Sequence, residues 1–212
     1  MKESTSKEKI LKNIRNALIN KTENPYQNID FDSSVYNLST EPDEIVFAQE
    51  FIKVGGKFIF CQDYSELAVN LNSIISENNW KNVFCKDSKI IEFLNKANIL
   101  VSKDESEFNS IDAGITGCEY LVARLGSIIV SSRQMPGRKM AGFPPAHIVI
   151  ASTKQVVRDL KDALEKLKKK YSSNFPSFVS IITGPSRTAD IEKTLILGAH
   201  GPKTIFCFLV DV

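Results

Sequence analysis

The fold is decided by residues 178–211, which read FVSIITGPSRTADIEKTLILGAHGPKTIFCFLVD. Two apolar runs, at 178–182 and 205–210, predict two buried strands. Gly184-Pro185 ends the first run, and residues 188–198 between the runs predict a helix. A helix that connects two strands of one sheet makes those strands parallel. The stretch therefore predicts a compact β-α-β unit.

The predicted helix has signals at both ends. Thr188 is a suitable N-cap, and Asp190 and Glu192 place negative charge in the first turn, where it suits the helix dipole. Gly198 is a candidate C-terminal stop. One face of the helix is apolar and carries Ile191, Leu195 and Ala199. The segment thus predicts a helix that starts close to the end of the first strand.

The residues around the start of this helix predict an anion site. Open parallel sheets bind ligands outside the carboxyl ends of their strands, and a helix amino terminus there presents free N–H groups. Ser186 adds a hydroxyl, and Arg187 adds a guanidinium that fits carboxylate or phosphate. The alternative is structural: Arg187 caps a neighbouring carbonyl or pairs with Asp190, and Gly184-Pro185 only shapes the turn. The residues alone leave both interpretations open.

The composition indicates a soluble globular protein. The chain has 212 residues, is 42% hydrophobic and 25% charged, and carries a net charge of +2. This balance argues against a dominant nucleic-acid surface. No apolar run approaches the ~20 residues that cross a bilayer, and the lysine-rich amino terminus lacks the apolar core of a signal peptide. We therefore expect a cytoplasmic protein without a membrane span.

The cysteines and histidines argue against a metal or iron–sulfur centre in this chain. Three of the four cysteines, Cys61, Cys85 and Cys207, lie in apolar strand-like runs, and the sequence has no C-x-x-C motif. Buried, reduced thiols are expected instead. Two histidines without an obvious third ligand rarely form a metal site. The chain is thus expected to hold no metal and no cofactor of its own.

The order of patterns along the chain predicts three parts. Residues 1–20 form an amphipathic helical arm, with apolar residues on one face and Lys and Glu on the other. Residues 21–42 are rich in Asn, Ser, Asp and Pro without a period, which is typical of a linker. Helix and strand patterns alternate from residue 43 onward, so 43–212 is predicted as one α/β domain. We expect a mixed, mainly parallel sheet flanked by helices.

The middle of the domain predicts further elements. Thr116 is expected to cap a short helix over 117–123, and a strand follows at 126–131. Ser152 with Gln155 forms a capping box, which predicts a long helix from there to about residue 170.

Three loops hold the candidate functional residues: one before the strand at 126–131, one before a strand at 147–151, and one around Gly184. Each combines Gly, hydroxyl and cationic groups, which is the inventory of an anion or nucleotide pocket. The candidate ligand-binding residues are Arg124, Gly126, Ser127, Arg138, His147, Gly184, Pro185, Ser186, Arg187, Thr188, Asp190, His200 and Gly201. No catalytic residue is assigned. Structural roles suit both histidines equally well, and the lack of a nucleophile-elbow pattern argues against a Ser-His-Asp triad.

The motif GPSRTADIE at 184–192, followed by LGAHGP at 197–202, resembles the C-terminal signature of the lactate utilization protein C family, the LUD domain. The segment FPPAHIVI at 143–150 also resembles that family. The resemblance extends from about residue 111 to the C-terminus and is diffuse over 43–110.

This resemblance implies a fold similar to the sugar-isomerase and CoA-transferase superfamily. It also implies work alongside iron–sulfur partner proteins in the oxidation of L-lactate to pyruvate, with the cysteine clusters on the partners. The chain is then expected to be an accessory, non-redox subunit that binds a small anionic ligand or cofactor. Two alternatives stay open: a stand-alone transferase or ligase acting on a nucleotide or acyl-CoA-type substrate, and a non-catalytic scaffold.

One position departs from the family pattern. The family usually reads Ala-Glu-Thr-Gly-Thr before the middle strand, whereas here the residues are Ala123-Arg124-Leu125-Gly126-Ser127. A guanidinium therefore stands where the family has a carboxylate. If that glutamate is functional in relatives, its role here is lost or its ligand has changed.

Overall fold

The computed structural model describes residues 5–19, 26, 28, 30, 39–104, 106, 110–133, 143–190 and 194–212. The chain divides into two compact units, 1–38 and 39–212. In the first unit, helix α1 (Ser6–Ile19) is the predicted amphipathic helix, and all its residues are exposed. Its start is capped by Thr5, whose N–H donates to the Glu8 carboxylate (2.9 Å). The boundaries of the arm at 1–20 and of the linker at 21–42 stay predictions.

The second unit alternates helices and strands. In chain order its elements are α2 (Asp43–Lys53), β1 (Lys57–Cys61), α3 (Tyr64–Glu77), β2 (Val83–Cys85), α4 (Ser88–Lys96), β3 (Ala113–Thr116), β4 (Tyr120–Val122), β5 (Ser127–Ser131), β6 (Ala146–Ser152), β7 (Val156–Val157), α5 (Leu160–Lys170), β8 (Val179–Ile182), β9 (Arg187–Asp190), β10 (Thr194–Leu197) and β11 (Thr204–Val210). Short 3-10 turns cover 123–125 and 153–155.

Five strands form a parallel sheet in the order β1-β11-β6-β3-β2. Their sequences are apolar because both faces of the sheet are covered. Helices α3 and α4 cover one face, where Leu67, Leu71 and Leu94 share a core with Ile148 and Phe208. This arrangement confirms the predicted α/β fold with a mainly parallel sheet flanked by helices.

A second sheet covers the other face, in the order β7-β4-β5-β8. Strand β5 runs antiparallel to β4 and β8, and β4 pairs with β7 in parallel. Helix α2 packs one face against the core between the sheets, where Phe47 and Phe51 are fully buried with ring centroids 5.3 Å apart. Burial of each phenylalanine contributes about 1.5–3 kcal/mol. Helix α5 covers the outer face of this sheet with Ala163 and Leu167.

Aspartate caps determine where three of the helices start. Asp63, Asp87 and Asp159 each accept hydrogen bonds from backbone N–H groups in the first turn of α3, α4 and α5. A cap of this kind contributes about 1 kcal/mol. The Asp63 carboxylate thus sets the start of α3 at Tyr64.

The predicted helix over 188–198 is wrong, because β9 and β10 form an antiparallel hairpin there, in which Thr188 pairs with Ile196. The β-branched residues Thr188, Thr194 and Ile196 favour strands, and here they outweigh the acidic residues that suggest a helix start. The predicted β-α-β unit is wrong as well. Strand β8 runs antiparallel to β5 in the second sheet, whereas β11 lies in the parallel sheet.

The predicted helix over 117–123 is also wrong. Leu121 and Val122 belong to β4 and pair with β5 and β7, so the segment extends along the second sheet. Thr116 ends β3 instead of capping a helix. Strand β4 pairs with a strand on each side, and these hydrogen bonds stabilise the extended conformation of the segment.

The long helix predicted to start after Ser152 begins later than expected. The capping box of Ser152 and Gln155 is present, but it opens only the 3-10 turn at 153–155. Two β-branched residues, Val156 and Val157, then pair with β4. A second capping box at Asp159 starts α5.

Candidate functional site

The predicted motif loops meet at the amino-terminal edge of the parallel sheet. Ser186 N–H donates to the Pro202 carbonyl (2.9 Å), which joins the loop after β8 to the turn before β11. Lys203 N–H donates to the Pro145 carbonyl (2.8 Å), which joins that turn to the residues before β6. The sequence predicts the Gly184 loop at the carboxyl end of a parallel strand and the other two loops before strands. The structure places the Gly184 loop at the amino-terminal edge of the parallel sheet, against the turn from which β11 starts.

The loop at Gly184 packs on the end of helix α2. The Arg187 guanidinium donates to the carbonyl oxygen of Val54, the C-cap of α2, at 2.8 Å. A cation suits this end of a helix, where carbonyls lack partners. Gly184 has a φ of +73°, and a Cβ added to it would lie 2.3 Å from the same oxygen. Arg187 thus caps a carbonyl, as the structural alternative expects, and a ligand-binding role for it stays a prediction.

Gly126 and Ser127 also serve close packing around α2. Gly126 has a φ of +56°, and an added Cβ would lie 2.4 Å from the backbone of Glu50 and Phe51. Only glycine fits such an approach without strain. The buried Ser127 hydroxyl lies 2.8 Å from the Thr183 hydroxyl, which ties the start of β5 to the end of β8.

Arg124, the residue that departs from the family pattern, forms an ion pair. Its Nε donates to Asp159 Oδ2 at 2.6 Å and its Nη2 to Oδ1 at 3.2 Å. The hydrogen bond from Arg124 lowers the pKa of the Asp159 carboxyl. Because Asp159 caps α5, this guanidinium links the 3-10 turn before β5 to the start of that helix.

His147 is fully buried on β6 and contacts the end of β3. Its Nε2 lies 2.8 Å from the Thr116 hydroxyl, and among the described residues its Nδ1 has no hydrogen-bond partner. Burial lowers the pKa of this imidazole to about 4, so the ring is neutral near pH 7. His147 thus joins β6 to the end of β3, and a ligand-binding role for it stays a prediction.

The remaining predicted residues lie on the hairpin and the turn. Thr188 and Asp190 belong to β9, and the exposed His200 precedes Gly201 in the turn before β11. Arg138 lies outside the described residues. In the described part of the chain no hydrogen bond joins the Ser186 hydroxyl to a histidine, so a Ser-His-Asp triad lacks geometric support.

A cleft lies at the carboxyl edge of the parallel sheet. Its volume is about 680 Å³, and it lies where β2, β3, β6 and β11 end. The residues around it are Tyr64, Asp87, Lys89, Ile90, Glu92, Phe93, Lys96, Gly117, Cys118, Ile150, Ala151, Ser152, Gln155 and Val210. They include none of the residues that the motif loops predict. This edge is where open α/β sheets bind ligands.

One wall of the cleft combines aromatic rings and lysines. Lys89, Phe93 and Lys96 recur on α4 at intervals of four and three residues, so they share one face of the helix. The Phe93 ring lies 5.4 Å from the ring of Tyr64, the first residue of α3. Lys96 pairs with Glu92 on the surface at 2.9 Å.

The floor of the cleft is held by Gln155. Its amide nitrogen donates to the Cys118 carbonyl at 2.6 Å, and its amide oxygen accepts from Ser152 N–H at 2.8 Å. The segment after β3 is thereby fixed to the turn after β6. Cys118 itself is buried, and burial raises the pKa of its thiol.

A buried carboxylate anchors the same segment from below. Glu119 accepts from the Ser131 hydroxyl (2.6 Å), the Lys170 ammonium (2.7 Å) and the Tyr171 hydroxyl (2.8 Å). Burial acts to lower the pKa of Lys170, but the Glu119 carboxylate outweighs it and the net pKa is raised. These bonds fix the chain between β3 and β4 against β5 and the end of α5.

The buried thiols that the sequence predicts are confirmed, since Cys61, Cys85, Cys118 and Cys207 are all free and buried. Burial raises the pKa of the Cys85 thiol to about 12, so it stays protonated. Within the described ranges no group of three or more His, Cys, Asp or Glu side chains is placed to hold a metal ion.

None of the sequence motifs lies at the cleft, but a weaker sequence pattern indicates it. Polar or small residues follow several of the buried strands, as in Lys86-Asp87 after β2 and Gly117-Cys118 after β3. In a parallel sheet these positions share one edge. Reading strand ends together, instead of seeking one contiguous motif, identifies this site.

A sequence model of the LUD domain matches residues 46–210, which is most of the second unit. The chain belongs to the LUD domain family. This LUD domain chain is 36% identical over 98 residues to the uncharacterized protein NMB1437 of Neisseria meningitidis, which covers 46% of this chain and 42% of that protein.

Two relatives carry a name that refers to a process. The LUD domain chain is 34% identical over 101 residues to Lactate utilization protein C of Halalkalibacterium halodurans, covering 47% of this chain and 44% of that protein. It is 32% identical over 102 residues to Lactate utilization protein C of Bacillus subtilis, covering 47% and 42%. These matches span less than half the length of each relative.

A solved structure supports the fold of the LUD domain chain. The crystal structure of a DUF162 family protein from Deinococcus radiodurans matches it with a TM-score of 0.59 at 18% identity, covering 79% of this chain and 96% of that one. The similarity to the sugar-isomerase and CoA-transferase superfamily stays a prediction. Among the helices that the structure describes, none is long and apolar enough to cross a membrane.

Proposed function

We propose that this chain acts in lactate utilization as an accessory, non-redox subunit beside iron–sulfur partner proteins, and that it binds an anionic ligand. The LUD domain match over 46–210, together with relatives named Lactate utilization protein C, carries this proposal. The oxidation of lactate to pyruvate then takes place on the partners.

The thiols of the chain support the non-redox part of the proposal. All four are buried in strands or close to them, and burial raises their pKa values, which suppresses the thiolate that binds metals and reacts. Cluster ligation needs several accessible thiolates at one place. The four cysteines are therefore suited to packing.

The ligand is assigned to the cleft at the carboxyl edge. At the amino edge, the Arg187 guanidinium and the Ser186 N–H already donate to carbonyls of the chain itself. In the cleft, Lys89 forms no ion pair with any residue that the structure describes, so its charge is available to an anion. The cleft thus offers a free cation, whereas Arg187 at the amino edge is already engaged.

Purification of the tagged chain from its own cells tests this role. We expect iron–sulfur proteins to co-purify, visible by their absorption and iron content, and the assembly to oxidise L-lactate. Lys161→Gln is the control, because it removes an exposed lysine that does not line the cleft and should leave co-purification unchanged. The proposal fails if the chain purifies without such partners and catalyses a reaction alone.

The size of the cleft favours a second candidate, a stand-alone transferase or ligase acting on a nucleotide or acyl-CoA-type substrate. A volume of about 680 Å³ falls in the range for drug-sized ligands and is large for a three-carbon hydroxy acid. Turnover of ATP or an acyl-CoA by the purified chain alone supports this candidate and contradicts the accessory role.

A further inference from the structure

The wall of the cleft has a pattern that identifies a class of ligand. We propose that the cleft binds a ring-bearing anion of the nucleotide class, with its ring against Tyr64 and Phe93 and its anionic groups at Lys89 and Lys96. This assignment rests on the proposed binding of an anionic ligand in the cleft and names the class of that ligand.

The two aromatic residues form the ring site. Their ring centroids lie 5.4 Å apart with an interplanar angle of 49°, so a ligand ring has two faces to contact. Tyr64 is 50% exposed although it lies beside a concave surface. Removing one stacking partner of a base weakens binding by about tenfold or more.

The two lysines supply the charge. Lys96 lies seven positions after Lys89, which is about 10 Å along the helix axis. Phe93 lies between them on the same face, so both cations flank the ring site. An exposed ion pair contributes little, so the Glu92–Lys96 pair opens readily when a phosphate competes for the ammonium group.

The acidic groups of the cleft are already engaged. The Asp87 carboxylate accepts from the N–H groups of Lys89 and Ile90 at the start of α4, at 3.0 and 3.3 Å. Glu92 is 70% exposed, so its carboxylate can turn into water when a phosphate takes the Lys96 ammonium group. Repulsion of an incoming anion is therefore reduced, and Lys89 remains as the unpaired cation among the described residues of this wall.

The strand ends beside the cleft favour a ligand larger than lactate. Ile150 and Val210, from the ends of β6 and β11, bring apolar surface to the cleft. Lactate alone leaves the aromatic pair and this surface uncovered, whereas a nucleotide covers both and reaches the lysines. The strand ends place the site where α/β sheets bind such ligands.

Titration calorimetry of the purified full chain tests the assignment, with ATP, ADP and coenzyme A as probes and L-lactate and pyruvate as small anions. We expect saturable binding of ADP and ATP. Tyr64→Leu should weaken it about tenfold, and the double variant Lys89→Gln with Lys96→Gln should weaken it and flatten its salt dependence.

Two variants control for general effects. Phe175 is 49% exposed, which closely matches Tyr64, and it does not line the cleft, so Phe175→Leu should leave binding unchanged. Lys161→Gln removes an exposed lysine of α5 that does not line the cleft, so it controls for the loss of a positive charge and should also leave binding unchanged. Thermal unfolding confirms that every variant is folded.

The probes also separate the sources of the ligand. Coenzyme A contains an adenosine diphosphate moiety, so binding of both coenzyme A and ADP assigns recognition to that moiety, and binding of ADP and ATP alone assigns it to free nucleotides. The inference is overturned if none of the three binds, or if the Tyr64 and lysine variants bind as well as the unaltered chain. Either result is independent of whether iron–sulfur partners co-purify.

Discussion

The two edges of the parallel sheet differ in how the chain uses its polar groups. At the amino edge, the motif loops donate their hydrogen bonds to carbonyls of the chain itself, as Arg187 does to Val54. At the carboxyl edge, the ends of the strands leave a cleft of about 680 Å³ with aromatic and cationic side chains around it. A motif that identifies a family can thus mark a packing arrangement, and we propose the ligand site for the opposite edge.

The difference has a physical origin. The amino edge must cover the carbonyls at the end of α2, and a guanidinium with glycine at close approach does so. The carboxyl edge has capped helices starting beside it, so its backbone is satisfied without filling the space. Four variants sharpen or break this contrast.

Gly184→Ala tests how tightly the amino edge is filled. The residue has a φ of +73°, and a Cβ would lie 2.3 Å from the Val54 oxygen. Left-handed strain and overpacking each cost about 1–3 kcal/mol, so the free energy of unfolding should fall by roughly 3–4 kcal/mol. Urea denaturation measures this. Ser186→Ala, two residues away, should change it by less than about 0.5 kcal/mol. Equal effects would contradict a filled edge.

Acid should destabilise the fold through His147, which joins β6 to β3. Its pKa falls from 6.5 to about 4 on burial, so the unfolded chain takes up the proton first as the pH falls. This stability is complete above about pH 6.5 and is lost towards pH 4, by about 3 kcal/mol at 1.36 kcal/mol per unit.

Urea unfolding of the unaltered chain and of His147→Asn, from about pH 7 to about pH 4, isolates this loss because carboxylates titrate in both. The difference in unfolding free energy between the two proteins should shrink as the pH falls. Parallel curves would contradict a buried, neutral imidazole.

Glu119→Gln tests the anchor under the cleft. The variant leaves the Lys170 ammonium without its carboxylate, but Lys170 is 48% exposed and regains water. We therefore expect a loss of about 2 kcal/mol, below the 3–5 kcal/mol for a fully buried pair. Tyr171→Phe removes a single hydrogen bond and should cost about 1 kcal/mol. If Glu119→Gln is as stable as the unaltered chain in urea, the carboxylate does not anchor this segment.

Arg187→Ala should have the smallest effect and separates the two edges most directly. It removes one hydrogen bond at the exposed end of α2, so the unfolding free energy should fall by about 1 kcal/mol. Calorimetric titration with ADP should give the same affinity as for the unaltered chain. If the Arg187→Ala variant is fully folded but binds ADP much more weakly, the ligand site lies at the amino edge and the prediction is wrong.

The strands of the parallel sheet were predictable because their signal is local. Apolar runs such as 205–210 need only be read in sequence to be assigned to a buried sheet. The hairpin of β9 and β10 was not predictable. Thr188 and Asp190 give a helix-start signal, whereas Thr194 and Ile196 favour strands. Pairing between the two halves decides such a case, and no local pattern records it.

The cleft is not marked by a contiguous motif, for a different reason. Its residues come from the ends of separate strands and from α4, so Tyr64, Lys89 and Val210 become neighbours only when the sheet order is known. The role of Arg124 was hidden in the same way, since its partner Asp159 lies far along the chain. Both the cleft and the Arg124–Asp159 ion pair depend on contacts between residues that are distant in sequence.

The burial of all four cysteines makes the chain suitable for site-directed labelling at an introduced cysteine. Because Cys61, Cys85, Cys118 and Cys207 are covered and held protonated, maleimide reagents should leave the native protein unmodified. A single Lys89→Cys substitution then provides one reactive position at the mouth of the cleft, without first removing any native thiol. A fluorophore attached there would signal an arriving molecule directly, in whole extracts as well as with purified protein.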